Sequence, residues 1–74
     1  MLYDPHLDLF LQVAELGSFS KAAEAGSITP SAVIKQINLL EDDLDVRLFE
    51  RTHRGLKLTK AGESLKKDAP ELIR

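Results

Sequence analysis

The chain contains no cysteine. Neither a disulfide nor a thiolate zinc site can therefore support its fold. Its four glycines are scattered and form no Gly-rich phosphate loop. Its two histidines, His6 and His53, lack the spacing of a metal-ligand pair. No apolar run approaches the roughly 20 residues that a membrane span needs. Asp4 stands among the first residues and no basic patch does, so no secretory leader is expected. No nucleophile–base arrangement is present, and Glu41-Asp42-Asp43 lacks the spacing of a metal loop. Length is short too: 74 residues make one small domain. A domain of that size buries only about 60% of its unfolded surface, so its core is thin. No enzyme and no cofactor is expected from such a chain.

Hydrophobic residues make up 43% of the sequence, enough for a folded domain rather than a disordered one. The formal net charge is -2, which by itself argues against nucleic acid as a partner. That mean hides a split. Residues 1–46 hold two basic residues against eight acidic ones, a balance of −6. Residues 47–74 hold eight basic against four acidic, a balance of +4. Charge polarised over so short a chain calls for a geometric reading.

The chain reads as short helices separated by turns, with no internal repeat and no linker. Asp4-Pro5 opens the first helix, with aspartate as cap and proline at the first helical position. Leu7, Phe10, Leu11 and Ala14 form one apolar stripe, and Leu9, Val13 and Leu16 a second on the far side. Such a helix packs on two sides, or against a partner chain. Gly17 ends it. Ser18 and Ser20 are candidate caps of a very short second helix through about Ala25, and Gly26-Ser27-Ile28 is a turn. Thr29-Pro30 opens the third helix. There Val33, Ile37, Leu40 and Leu44 step by four, three and four, as a buried stripe does. Ser31, Lys35, Asn38 and Asp42 lie opposite, with Ile34 on the flank. Glu41-Asp42-Asp43 reads as a solvated helix end that opposes the helix dipole.

Arg47 to Lys57 reads as a hairpin, with strands around Leu48-Phe49 and Leu56-Lys57-Leu58 and a turn at Thr52-His53-Arg54-Gly55. Thr59 caps a final helix from Lys60, with Leu65, Ala69 and Leu72 as its seam. Pro70 should kink or stop it.

Two helices joined by a turn and followed by a basic hairpin suggest a winged helix-turn-helix. A helix fits the major groove, and its N-terminal residues reach base edges. Thr29, Pro30, Ser31, Ile34, Lys35 and Asn38 lie on or beside that outward face. Lys35 can donate to guanine, and Ile34 offers apolar contact to a thymine methyl. The plain alternative is a solvated helix face. Arg54 at the hairpin tip is placed to enter a narrow minor groove. His53 stands beside it and Arg47, Arg51 and Lys57 flank it, so they can neutralise phosphates, although a solvated basic loop would look the same. Ser18, Ser20 and Lys21 at the start of the second helix form another candidate phosphate contact, or serve only as caps.

These residues resemble the N-terminal DNA-binding domain of LysR-type bacterial transcriptional regulators. The resemblance spans about residues 5–69. Its most specific parts are Gly17-Ser18-Phe19, Ala22-Ala23-Glu24, Ser31-Ala32-Val33, Gln36-Ile37, Leu40-Glu41, Arg47 to Arg51, and Leu58-Thr59 with Ala61-Gly62. It implies a mainly α fold: three helices, a two-stranded β-wing and a C-terminal linker helix. Residues 1–58 would be the winged helix-turn-helix domain and 59–74 the start of the linker helix. The implied partner is double-stranded DNA, with the family's phosphate contacts matching the region of Ser18, Ser20, Lys21 and the wing around Arg51 and Thr52. A homodimer would form through the first and last helices, in the bacterial cytoplasm on the nucleoid. An effector-binding domain would follow, absent from this chain, and only there would a small-molecule effector bind.

Four residues depart from the family pattern. Ile34 replaces a common serine, Gly26 a core leucine and Asp45 a glycine, while Pro70 falls inside the usual linker helix. Gly26 should weaken its turn, and Asp45 should adopt the left-handed conformation at some cost. Two other readings share the pattern. One is a molybdate-responsive or other winged-helix regulator, against which the Arg47–Arg51 run speaks. The other is a winged-helix protein-interaction module that has lost DNA binding, motivated by net acidity and Ile34.

Overall fold

The computed structural model describes residues 5–72, and side chains for residues 5–69. Its elements run α1 (Pro5–Leu16), α2 (Phe19–Ala25), α3 (Pro30–Leu44), β1 (Phe49–Thr52), β2 (Gly55–Leu58) and α4 (Lys60–Leu72). This is the expected mainly helical architecture with a two-stranded wing. The expected Asp4 cap lies outside the described residues.

Local chemistry sets most boundaries. Gly17 follows α1 with φ 70° and donates its N–H to the Val13 carbonyl at 2.8 Å. The Ser18 hydroxyl accepts from the Lys21 N–H at 3.2 Å and so caps α2. Ser20, the other candidate cap, lies inside α2. The Thr29 hydroxyl accepts from the Ala32 N–H at 3.1 Å, with Pro30 opening α3. At the other end of α3, Asp45 takes the left-handed conformation, φ 56° and ψ 39°, as its departure from glycine implied.

The core is built from Phe10 and Val13 of α1, Ala22 and Ala23 of α2, and Val33, Ile37 and Leu40 of α3. Leu48 and Phe49 close it. The two small alanines let α2 lie close against its neighbours. Helix α1 packs against α2, α3 and α4, which accounts for its two apolar stripes. The stripes do not face opposite ways as drawn from the sequence. Phe10 and Val13, one from each, are both fully buried, because positions three apart share a helix face. Leu16 instead remains 40% exposed.

Further details differ from the sequence or go beyond it. Leu44 is 45% exposed, so the buried stripe of α3 ends at Leu40. The chain turns away at Asp45, leaving nothing to cover the last position. In the turn after α2 the left-handed residue is Ser27, φ 56°, and Gly26 is an ordinary cap at φ -92°. A Cβ on Gly26 would meet the Ala22 carbonyl oxygen at 3.4 Å, the Ile28 side chain at 3.8 Å and the Ala23 carbonyl oxygen at 4.0 Å, all ordinary contacts. Ile28 is a weak anchor at 43% exposure. Finally, of the kink or stop expected at Pro70 the stop does not occur, since α4 continues to Leu72. Proline removes one hydrogen bond there without ending the helix.

The wing is antiparallel, with Phe49 opposite Leu58 and Thr52 opposite Gly55. His53 and Arg54 form its tip. The Thr52 hydroxyl donates to the Gly55 carbonyl at 2.9 Å and accepts from the Arg54 N–H at 3.2 Å, closing the turn. Gly55 supplies the positive torsion, φ 119°. At the base, the Thr59 N–H donates to the Leu48 carbonyl at 3.0 Å. The Thr59 hydroxyl donates to the Arg47 carbonyl at 2.6 Å and accepts from the Gly62 N–H at 3.0 Å. Thr59 thus caps α4 as expected and also ties it to the strand entering the wing. Gly62 is needed at this crossing, since a Cβ there would overlap the Leu48 carbonyl oxygen.

Candidate nucleic-acid interface

The interface begins with the outward face of α3. Burial of Val33, Ile37 and Leu40 turns the opposite side to solvent. Thr29, Pro30, Ser31, Lys35 and Asn38 are all exposed there. Ile34 is half-buried at the border between the two faces. The cap matters here, because the Thr29 hydroxyl fixes the first turn that carries Pro30 and Ser31. This face offers one cation, a few hydroxyl and amide groups, and one apolar side chain. It can donate to bases and touch a methyl group, but it cannot clamp phosphates by charge.

The positive charge is on the wing. Arg51, Thr52, His53, Arg54 and Lys57 are exposed, with His53 and Arg54 at the tip. Alternation along the strands sorts the rest. Phe49 and Arg51, paired with Leu58 and Leu56, share the face toward the core. Glu50 and Lys57, directly opposite each other, share the outer face. Arg51 and Lys57 therefore serve different sides of the hairpin, although the sequence grouped them together. Lys57 also faces an opposite charge across the strands, which offsets part of its pull on a phosphate.

Arg51 is held in place. Its guanidinium lies over the Phe19 ring, 5.1 Å from the centroid. Phe19 stands edge-on to Phe49 at 6.0 Å, and Phe49 packs on Phe10 at 5.4 Å. A line of aromatic contacts thus runs from the helical core to a wing cation, and such a contact is attractive in its own right. The same arrangement brings the start of α2 against the wing. Ser18, Ser20, Arg51 and Thr52 line one shallow groove with Gly17, Phe19, Gly55 and Leu56. Four of the candidate phosphate-contacting residues, from elements over 30 positions apart, meet there. Lys21 is exposed on α2, outside that lining. The Ser18 hydroxyl already accepts from the Lys21 N–H, but its proton remains available to an anion.

Glu41 is not a solvated helix end. Its Oε2 accepts from the Leu48 N–H at 2.7 Å and the Phe49 N–H at 3.4 Å, and the residue is half-buried. Only Asp42 and Asp43 of that cluster are exposed. The signal available in the sequence was register. Glu41 stands four residues after buried Ile37 and next to buried Leu40, on the rim of the core stripe.

Comparison with known proteins agrees with this geometry. The chain is 41% identical over 69 residues to the probable HTH-type transcriptional regulator LtrA of Klebsiella pneumoniae, covering 93% of this chain and 22% of that protein. It is 45% identical over 67 residues to the HTH-type transcriptional regulator YofA of Bacillus subtilis (strain 168), covering 90% and 24% respectively. The chain thus spans about a quarter of the length of these relatives. Among solved structures, the crystal structure of a CbnR_DBD–DNA complex superposes with a TM-score of 0.86 at 38% identity, covering 92% of this chain and 78% of that one. The sequence model for "Bacterial regulatory helix-turn-helix protein, lysR family" matches residues 5–63, and the chain belongs to that family.

Proposed function

We propose that this segment is the sequence-specific DNA-binding domain of a bacterial transcriptional regulator and performs no catalysis. The observation that carries the proposal is the pairing of an outward-facing helix start with a basic two-residue hairpin tip. Helix α3 enters the major groove, where Thr29, Pro30, Ser31, Ile34, Lys35 and Asn38 meet base edges. Arg54 enters the adjacent minor groove, where a narrow width deepens the negative potential. Ser18, Ser20, Lys21, Arg51, Thr52, His53 and Lys57 contact phosphates. Residues 1–58 form this unit, and residues 59–74 begin the linker helix. Two copies pair through the first and last helices on a site of approximate two-fold symmetry. The setting is the bacterial cytoplasm, on the nucleoid. A small-molecule effector would be read by a part of the regulator other than this segment.

Net acidity makes unspecific affinity modest and leaves pairing of two copies to supply more of the binding. The test is fluorescence anisotropy on duplex DNA at several salt concentrations. Log affinity should fall linearly with log salt, by about 0.9 per neutralised phosphate. Arg54→Ala should weaken binding most on A·T-rich flanks. Lys35→Ala should relax one base preference, by about 1–3 kcal/mol. No binding at low salt, across many sequences and at protein concentrations high enough for pairing, would sink the proposal in favour of a protein-interaction module.

A further inference from the structure

We propose that Glu41 is a positioning residue that sets the angle between the reading helix and the wing, and thereby the step between major- and minor-groove contacts. The inference rests on the DNA-binding reading above but on different atoms. Glu41 belongs to α3, whose first turn carries the base-reading residues. Its carboxylate is bonded to the backbone of Leu48 and Phe49, the residues from which the wing departs. The same short stretch is held from its other side, where Thr59 bonds the Arg47 and Leu48 carbonyls. Three consecutive residues, Arg47, Leu48 and Phe49, thus have backbone groups committed to two different helices. Leu48 is 1% exposed, so its N–H has no solvent to turn to if the carboxylate is lost.

The wing acts as a lever on that junction. Arg54 stands at the tip of the hairpin, three strand residues and a turn residue beyond Phe49, roughly 13 Å from the base. A rotation of about 15° at the base would therefore move the tip by about 3 Å, close to the 3.4 Å spacing of successive bases on one strand. A small error at Glu41 becomes a full step at Arg54. The apolar packing of Leu48 and Phe49 holds the wing against the core. It does not fix the angle as two directed hydrogen bonds do, because burial is non-directional. The carboxylate is therefore the hydrogen-bonded constraint that ties the wing's angle to α3 itself.

The test compares the 74-residue wild type with Glu41→Gln, which keeps an acceptor oxygen, and Glu41→Ala, which removes it. Residual dipolar couplings of backbone amides in α3 and in the two strands report the angle without DNA. The angle should be kept in Glu41→Gln and changed in Glu41→Ala. Affinities are then measured for two duplexes that differ only in an A·T or G·C flank. Glu41→Ala should bring the flank ratio to within about twofold of the Arg54→Ala value. Combining the two substitutions should cost little more than either alone. The base preference read through Lys35 should survive in Glu41→Ala, which separates lost positioning from lost folding. If Glu41→Ala does not fold, Glu41→Asp, one methylene short, should show the same altered angle and reduced ratio. An unchanged angle in the folded variant, or an unchanged flank ratio, overturns the proposal. Failure of the wild type to bind any duplex would instead overturn the DNA-binding reading, while the couplings would still show whether Glu41 sets the angle.

Discussion

The helical part and the wing are held by different forces. Residues of α1, α2 and α3 interlock through apolar burial, with seven of their side chains in the core cluster. The wing gives Phe49 to that cluster, with Leu48 just before it and half-buried Leu56 and Leu58 packed against it. To this smaller apolar contact it adds individually placed polar ones: Glu41 to the backbone of Leu48 and Phe49, Thr59 to the backbone of Arg47 and Leu48, and the Thr52 hydroxyl across the tip. Charge divides the same way, since the acidic surplus precedes residue 47 and the basic surplus follows it. Apart from Lys21 on α2, the cations that would meet a phosphate backbone thus stand on the part with the least core. Apolar burial gives the domain its stability, and directed hydrogen bonds give the cationic element its orientation.

Breaking the apolar side should break both parts. Phe10 is fully buried and stacks against Phe49 at 5.4 Å, so it joins them. Phe10→Ala should cost about 3–5 kcal/mol, the usual cost of deleting a buried ring. A domain of this size holds roughly 4–11 kcal/mol in total. The variant should therefore lose a large share of that stability. Urea titration followed by amide signals of Lys35 and Lys57 should show both disappearing in one transition. Survival of the Lys57 signals after those of Lys35 have gone would mean the wing folds independently, and the comparison above would be wrong.

Gly62→Ala should separate the two parts rather than collapse both. Helix propensity alone would favour alanine by about 1 kcal/mol. The added methyl, however, meets the Leu48 carbonyl oxygen, a backbone atom that cannot rotate away. Overpacking of that kind costs about 1–3 kcal/mol, so the net effect is destabilising. It should appear as faster hydrogen exchange at the Thr59 amide, which bonds that same carbonyl. The Gly17 amide, bonded within the helical part to Val13, should lose less protection. Equal loss at both amides would show that the wing base is not a separate weak point.

The same division governs what the sequence could disclose. Helix periodicity, the Ser18, Thr29 and Thr59 caps, and the glycine after α1 depend on residues within one turn of each other. All were legible. So was the outward face of α3, because a clean buried stripe defines its opposite. Glu41 was not, because its partners lie seven and eight residues away across a turn whose path the sequence does not give. Arg51 was grouped with Lys57 because both are basic and near the tip, yet strand alternation sets them on opposite faces. Leu44 fits the α3 stripe by spacing and is left exposed because the chain departs at the next residue. Each of these misses concerns where an element points once it is packed.

The junction between the two parts offers the smallest and most directional prediction. Asp45 ends α3 in the left-handed conformation at φ 56° and ψ 39°. A residue with a Cβ pays roughly 1–2 kcal/mol there, somewhat less for aspartate, which can bond locally. Glycine removes that strain but adds freedom to the unfolded chain, worth about 0.4–1 kcal/mol in the opposite direction. Asp45→Gly should therefore stabilise by about 0.5 kcal/mol, raising the melting temperature by roughly 2–4 °C. A second contribution has the same sign, because a carboxylate at a helix C-terminus opposes the dipole. Asp45→Asn distinguishes the two, since it removes the charge and keeps the Cβ. If asparagine gives the whole increase, electrostatics at the end of α3 is the cause and the backbone there is unstrained. If only glycine gives it, the turn from reading helix to wing carries strain, and relieving it should leave the Glu41-dependent angle unchanged.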